Sequence, residues 1–498
     1  MTQWTEERGS EPGVVVLQDG KWFARRAVHA TTVVLFFAMV MLAALPMGAN
    51  RDWAWAPLCV LFGLMVVPVA FGLGARDGHG VLAAERLPLA ILAGCWIFFM
   101  AFGLWQTTSW TPRSGDTWMF ERAAAILGKA HAPVPAIAAD LARNSLLRCL
   151  ACALIFLAAR AICRDRDHAR WLLVAMVASG IVVVCYALAM QVSTHSCYVG
   201  SFLKKEHEYN LIDRCLMSGT FVSSNSFACY MGMAIVAAAA LLFSGRQSRK
   251  DAPYGYDEED DGRLIDWFTG ARLVQLAAIF LMLGGMLMSA SRAGFAATAA
   301  GAVAFGLLLM RGRWTSRPDL GRIFFAGVAV FVVVGIIAGS ALLTKFADSA
   351  DSFSRLRIWY TSLQAIWLSP WLGWGLGGFA DIYTVLQPSS ILIPNNLAHS
   401  TPLEVVVELG VVAAVPALAV VALPWAICLW GALRRRLSHR YLPTAAFAVA
   451  AVPILHSTVD FSLQMPAIAF VTSAFLGMGW AQAFGRRDRA PEGFTPWE

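Results

Sequence analysis

Charge is scarce in this chain: Asp, Glu, Lys and Arg make up 14% of its 498 residues, while 58% are hydrophobic. A water-soluble protein of this length cannot hide so much apolar surface, and a mean hydropathy of +0.60 excludes that class. Also missing is any internal repeat of the kind that builds two-fold transporters. The first 28 residues lack a short apolar core ahead of a small-residue cleavage site, so no cleavable signal peptide is read there. Cysteine–histidine clusters with zinc spacing are absent, as is an Asp-x-Asp pair on the outward side of the chain. Any chemistry is therefore expected to run without a metal or other cofactor. The net charge of +7 follows from the placement of basic residues along a membrane and requires no nucleic acid.

What the chain has in place of charge is long apolar runs. About 20 such residues cross a bilayer, and closed helical hydrogen bonding keeps the backbone satisfied in hydrocarbon. Roughly twelve runs qualify, near residues 29–47, 53–74, 87–105, 145–163, 170–190, 225–244, 273–289, 293–310, 323–343, 403–430, 442–460 and 465–484. The expected fold is all-α: a polytopic membrane protein of about twelve transmembrane helices. Basic clusters such as Arg25-Arg26, Arg311 to Arg322, Arg434-Arg435-Arg436 and Arg486-Arg487 fall on alternate connections. By the positive-inside rule both tails, 1–28 and 486–498, are then cytoplasmic. The acidic run Asp257 to Asp261 reads as solvated loop, since no His or Cys joins it. Cys149 and Cys152 form a C-x-x-C that reads as packing inside an apolar segment.

The outward connections, about 106–144, 191–224 and 344–402, are long, and long loops carry function more often than stability. In the last, Phe353, Leu356, Trp359, Leu363, Ile366 and Trp367 recur at helical spacing, which predicts an amphipathic helix along the membrane surface. Its other face carries Arg355 and Gln364, with Arg357 near the boundary. Pro370, Gly373, Gly375, Gly377 and Gly378 then break it.

Ionisable residues gather on this outward side. Arg292 lies in a tight turn between two apolar runs, where a guanidinium is costly unless it holds an anion or snorkels to headgroups. Arg214 precedes Gly219-Thr220-Phe221, and Asn225 opens the following helix. His399 comes just before a helix that carries Glu404 and Glu408 in its first two turns. Asp460 closes another helix, four residues after His456 and so on one helical face with it. Structural alternatives stand beside each: a loop charge for Arg214, a helix-start residue for His399, dipole partners for Glu404 and Glu408, and interhelical glue for Asp460.

The motifs Gly219-Thr220-Phe221 through Asn225, Ser291-Arg292-Ala293-Gly294-Phe295, Arg357-Ile358-Trp359, His399 before Glu408-Leu409-Gly410, and His456-Ser457 before Asp460-Phe461 occur in a fixed order. In that order the chain resembles the O-antigen ligase and polymerase superfamily over roughly residues 140–485. The resemblance implies a GT-C-like membrane glycosyltransferase domain at 29–485 with a periplasmic catalytic loop at 344–402. It implies a glycan donor linked to undecaprenyl diphosphate at the periplasmic face of the bacterial inner membrane. The acceptor would be lipid A–core for a ligase, or another carrier-linked glycan for a polymerase. Arg292 and Arg214 would then stabilise the departing diphosphate, because guanidinium forks match phosphate oxygens. His399 would take the acceptor hydroxyl proton, and in-line attack would invert the anomeric centre. Arg355, Arg357, Asn225, Glu408 and Asp460 would contact substrate. Membrane lipids and a polysaccharide export machinery complete the expected partners. Cys197 and Cys215 share one outward loop, an oxidising location in a Gram-negative envelope, and are expected to form a disulfide that pins Arg214. The competing class is a transporter or flippase for lipid-linked sugars; it would need charge near the bilayer midplane, whereas the candidates here cluster at one face.

Overall fold

A computed structural model describes residues 30–74, 83–108, 138–194, 216–244, 270–311, 350–388, 395–435 and 439–485, with isolated positions at 125, 126, 128, 327 and 329. Among the described residues every regular element is helical. In chain order these are α1 (Ala30–Leu42), α2 (Asp52–Gly74), α3 (Ala83–Gln106), α4 (Ala139–Ile162), α5 (Arg166–Thr194), α6 (Ser224–Ser244) and α7 (Gly270–Met288). They continue with α8 (Arg292–Met310), α9 (Ala350–Leu368), α10 (Phe379–Leu386), α11 (Thr401–Arg434), α12 (Tyr441–His456) and α13 (Pro466–Ala483). Seven of them, α2 to α6, α8 and α11, are long and apolar enough to cross a membrane, and α1, α7 and α12 are shorter apolar helices. This is a membrane protein. A helix occupies each expected position except 323–343, which, apart from 327 and 329, lies outside the described residues.

Burial sorts the helices into layers. The α6 span is 78% buried and the α3 span only 22%, so α6 is a central helix and α3 a peripheral one facing lipid. The side chains of α12 and α13 are buried along almost their whole length. These central helices are rich in Ala and Gly, which lets backbones approach where no hydrophobic drive separates helix from lipid. Their register is fixed at several levels. Arg440 donates to the Leu309 carbonyl at 2.5 Å, Gly301 packs on the Ala448 carbonyl, and Gly232 packs on Thr298. Helix α8 therefore runs antiparallel to α12, and the start of α8 lies level with the end of α12.

Two features depart from the sequence reading. The expected single span at 403–430 is broken: Gly410 has φ 63 and ψ 174, so α11 is a short opening segment followed by a long one. Such a break frees carbonyls that must find partners in a dry environment. The loop after α9 supplies them. Trp374 N–H donates to the Val407 carbonyl at 3.0 Å and Gly375 N–H to the Glu408 carbonyl at 2.9 Å. Val411 N–H, in turn, donates to the Pro370 carbonyl at 2.8 Å. Gln106 of α3 clamps the crossing, its Nε2 donating to the Leu372 carbonyl at 2.6 Å and the Glu408 carbonyl at 3.0 Å. A side chain at Gly373 would collide with the Glu408 carbonyl, and one at Gly410 with the Trp371 carbonyl. Glycine is required at both positions by contact as well as by φ.

The second departure concerns His456 and Asp460. Helix α12 ends at His456, so Asp460 belongs to a separate turn and shares no helical face with it. Pro453 in the last turn and the Val459 N–H to His456 carbonyl bond at 3.1 Å turn the chain away.

Gly410→Ala is expected to lower unfolding stability by about 1–3 kcal/mol or more, because it adds strain to a collision. Gly63→Ala, in α2 with open space around the new methyl, is expected to be neutral or to stabilise by up to about 1 kcal/mol. Thermal unfolding of both variants in detergent checks the contrast.

Candidate active site

His399 is the best-defined of the expected site residues. Its backbone sits in the left-handed region, φ 50, although it carries a side chain. That conformation costs roughly 1–2 kcal/mol and persists only where neighbours hold it. The preceding residue, Ala398, is buried and gripped from both sides. Its carbonyl accepts the Trp359 Nε1–H at 3.1 Å, and its N–H donates to Glu404 Oε2 at 2.8 Å. On the other side, Thr401 N–H donates to the Ser457 carbonyl at 2.8 Å, docking the start of α11 onto the turn after α12. The ring is left 29% exposed, enough to meet a solute.

Asp460 lies behind the ring. Its Oδ1 is 3.4 Å from His399 Nδ1, an ion-pair distance at which the ring N–H is not aligned for a straight hydrogen bond. Phe461 N–H donates to the same oxygen at 2.9 Å, and the Phe461 ring stands edge-on to His399. Burial acts to raise the Asp460 carboxyl. The facing His399 ring, the charge of His456 and the Phe461 N–H outweigh it and hold the group below the usual Asp value. His456, itself buried, joins Ser462 Oγ through Nδ1 at 2.7 Å. Asp460 Oδ2 and His456 Nε2 find no hydrogen-bond partner among the described residues. Buried orphans of this kind are where a water or ligand group completes the bonding.

The other expected residues are distributed as follows. Arg292 opens α8 and is exposed, after Ala290 with φ 54 and Ser291, whose Oγ accepts the Gly294 N–H at 3.2 Å. Gly294 packs on Ala228, which puts Arg292 at the same end of the bundle as the start of α6 and the end of α12. Asn225, half-buried in the first turn of α6, belongs to that end as well. Cys229, one turn further, lies against Ser462 and in the field of Asp460. Arg355 of α9 is half-buried within electrostatic reach of His456, and Arg357 is exposed. Arg214 falls outside the described residues, although Met217 N–H donates to the Met288 carbonyl at 3.1 Å and ties that segment to the Arg292 hairpin. Cys197 and Cys215 also lie outside them. Glu408 is buried, and its Oε1 accepts the Phe379 N–H at 3.2 Å, anchoring the glycine-rich loop. Among the described residues no group of three or more His, Cys, Asp and Glu is placed to hold a metal ion.

One end of the bundle thus carries a strained histidine backed by a carboxylate, with Arg292 toward the same end and Arg355 within electrostatic reach of His456. Residues 277–418 match the O-antigen ligase family. That match, over less than a third of the chain, supports the resemblance to the O-antigen ligase and polymerase superfamily. The matched segment runs from α7 into α11 and contains Arg292, Arg355, Arg357, His399 and Glu408. Asn225, Asp460 and Arg214 lie beyond it. No curated protein gives a match to the chain. The similarity of this segment suggests a part in lipopolysaccharide or polysaccharide biosynthesis and is consistent with a glycosyltransferase-type enzyme.

Sequence reasoning missed three parts of this candidate site. Glu404 was weighed only as a dipole partner, yet it holds Ala398. Trp359 was read as membrane-facing, yet its indole N–H reaches the Ala398 carbonyl. Gln106, at the start of the outward connection 106–144, clamps the glycine loop. An amide at the very end of an apolar run was the available signal for Gln106. The other two depend on pairings that sequence spacing does not reveal.

The folded Asp460 lies below its ordinary value of 3.8. Its contribution to stability is therefore complete above that value and lost as pH falls through the folded pKa. The wild type is expected to lose thermal stability more steeply than Asp460→Asn below about pH 4. Melting curves of both proteins across an acid series measure the difference.

Proposed function

We propose that this chain transfers a glycan from an undecaprenyl-diphosphate-linked donor to an acceptor hydroxyl at the periplasmic face of the bacterial inner membrane. It acts in this reading as an O-antigen ligase or polysaccharide polymerase within a GT-C-like fold of about twelve spans, both termini in the cytoplasm. The reading is supported by the His399–Asp460 pair and by Arg292 lying toward the same end of a bundle whose 277–418 segment matches O-antigen ligases.

The chemistry asks for three things. The leaving lipid diphosphate gathers negative charge, and Arg292, joined by Arg214, supplies fixed positive charge without a metal. The attacking hydroxyl must lose a proton, and His399 accepts it, its ring oriented by the Asp460 carboxylate behind it. The sugar must be held in line between them; Arg355, Arg357 and Asn225 are the groups available at that end. Attack opposite the diphosphate inverts the anomeric centre. Glu408 contributes by fixing the loop around Phe379. Lipid A–core or a carrier-linked glycan is the acceptor, and export machinery receives the product.

Removing one electrostatic contact to the leaving group costs on the order of 10²–10³ in rate. Arg292→Ala is accordingly expected to lose at least about 10²-fold in glycan transfer, and His399→Ala about 10²–10⁴-fold, with membrane insertion unchanged. Transfer assayed in vesicles with a carrier-linked glycan decides the point: wild-type rates in either variant remove that residue from the mechanism.

A further inference from the structure

Helix α9 is amphipathic in the opposite sense from a helix packed on a protein core. It buries Ile358, Thr361, Ser362 and Ala365, a largely small and polar face, against the rest of the molecule. Leu356, Tyr360, Leu363 and Trp367, spaced four, three and four residues apart, form a continuous exposed stripe on its other side. Trp367 is 83% exposed, and Trp371, 66% exposed, extends the stripe beyond the end of the helix. A run of large apolar residues like this marks an interaction surface.

We propose that this stripe is a docking face for the headgroup–acyl boundary of the bilayer and that it sets the height of His399 above the lipid. Three observations choose lipid over a second copy of the chain. The stripe is continuous with a spanning surface: Trp371 leads into the crossing where Val411 N–H meets the Pro370 carbonyl, and Val411, Val412 and Val415 of the α11 span are exposed. Its composition is that of an interface belt, since indole and phenol rings bury an apolar body and leave a polar edge in water. Arg357, exposed beside Leu356, adds a cation at the level where lipid phosphates lie.

The face opposite the stripe leads to the site. Trp359 Nε1–H donates to the Ala398 carbonyl at 3.1 Å, one residue before His399. Trp374 Nε1–H donates to the Ala365 carbonyl at 2.8 Å, joining the same helix to the glycine loop. A helix seated in the interface, pinned by one indole to the histidine loop and by another to the glycine loop, fixes the distance between the ring and the membrane. The docking face stands without the transferase reading; the role assigned to it in positioning His399 rests on that reading.

The test introduces a benzophenone amino acid at position 363 or 367 in protein reconstituted into vesicles of phosphatidylethanolamine and phosphatidylglycerol. After irradiation the labelled peptide is identified by mass spectrometry. Phospholipid adducts at both positions are the expected result. Cross-links to a second copy of the chain, or no adduct at either position, would overturn the proposal. No glycan is present in this measurement, so its outcome is independent of whether the protein transfers one. The coupling to the site is read with Trp359→Phe, which keeps the ring and removes one hydrogen bond. This variant is expected to keep the lipid adducts, lose about tenfold in kcat for glycan transfer and leave KM within about twofold. Unchanged kcat would refute the height-setting role.

Discussion

The geometry of the site depends on the grip on Ala398. This one residue is held by an indole N–H from α9 at its carbonyl and by a buried carboxylate from α11 at its N–H. Those two bonds join the surface helix to the start of a spanning helix. They also leave His399 in a backbone conformation that a residue with a side chain adopts only under constraint. Each hydrogen bond contributes on the order of 1 kcal/mol net, and one to a charged group somewhat more, which matches the cost of the left-handed residue. The strain is affordable because it is local and fully compensated.

A second constraint lies one turn deeper. The break at Gly410 allows the α9–α10 loop to cross α11 with its backbone in contact, and every carbonyl it frees at Val407 and Glu408 is capped by Trp374, Gly375 or Gln106. Glu408 closes the same loop from beneath by taking the Phe379 N–H. The opening segment of α11, residues 401–409, is in this way fixed to α3, α9 and the turn after α12 at once. At the opposite end Glu85 of α3 is shared by Arg160 and Arg164, a buried charge cluster that ties α3 to the end of α4. The freed carbonyls at the break and the Glu85 carboxylate are each satisfied, as a low-dielectric surrounding requires, whereas Asp460 Oδ2 and His456 Nε2 at the site find no partner among the described residues.

Much of this was legible in the sequence, and the parts that were not share a cause. Apolar run length located the helices because burial in lipid is read directly from composition. The turn holding Arg292 and the histidine ahead of Glu404 and Glu408 stood out because ionisable residues are rare elsewhere. The break at Gly410 was hidden: Glu408-Leu409-Gly410-Val411 continues an apolar helical pattern, and only the crossing loop makes a positive φ necessary. The α9 helix was recognised by period, and Leu356, Leu363 and Trp367 of its expected apolar face are exposed, while Trp359 and Ile366 turn inward. Periodicity gives the face but not which neighbour takes it. The Glu85 cluster was invisible because its arginines were absorbed into the charge count that sets topology.

The most direct measurement is a structure of the protein in a lipid nanodisc with undecaprenyl diphosphate bound. The account predicts the diphosphate against the Arg292 guanidinium, at the end of the bundle where the His399 ring faces it from the edge of α11. A diphosphate seated at the opposite end near Arg160 and Arg164, or bound with Arg292 and His399 separated by packed helices, would contradict it.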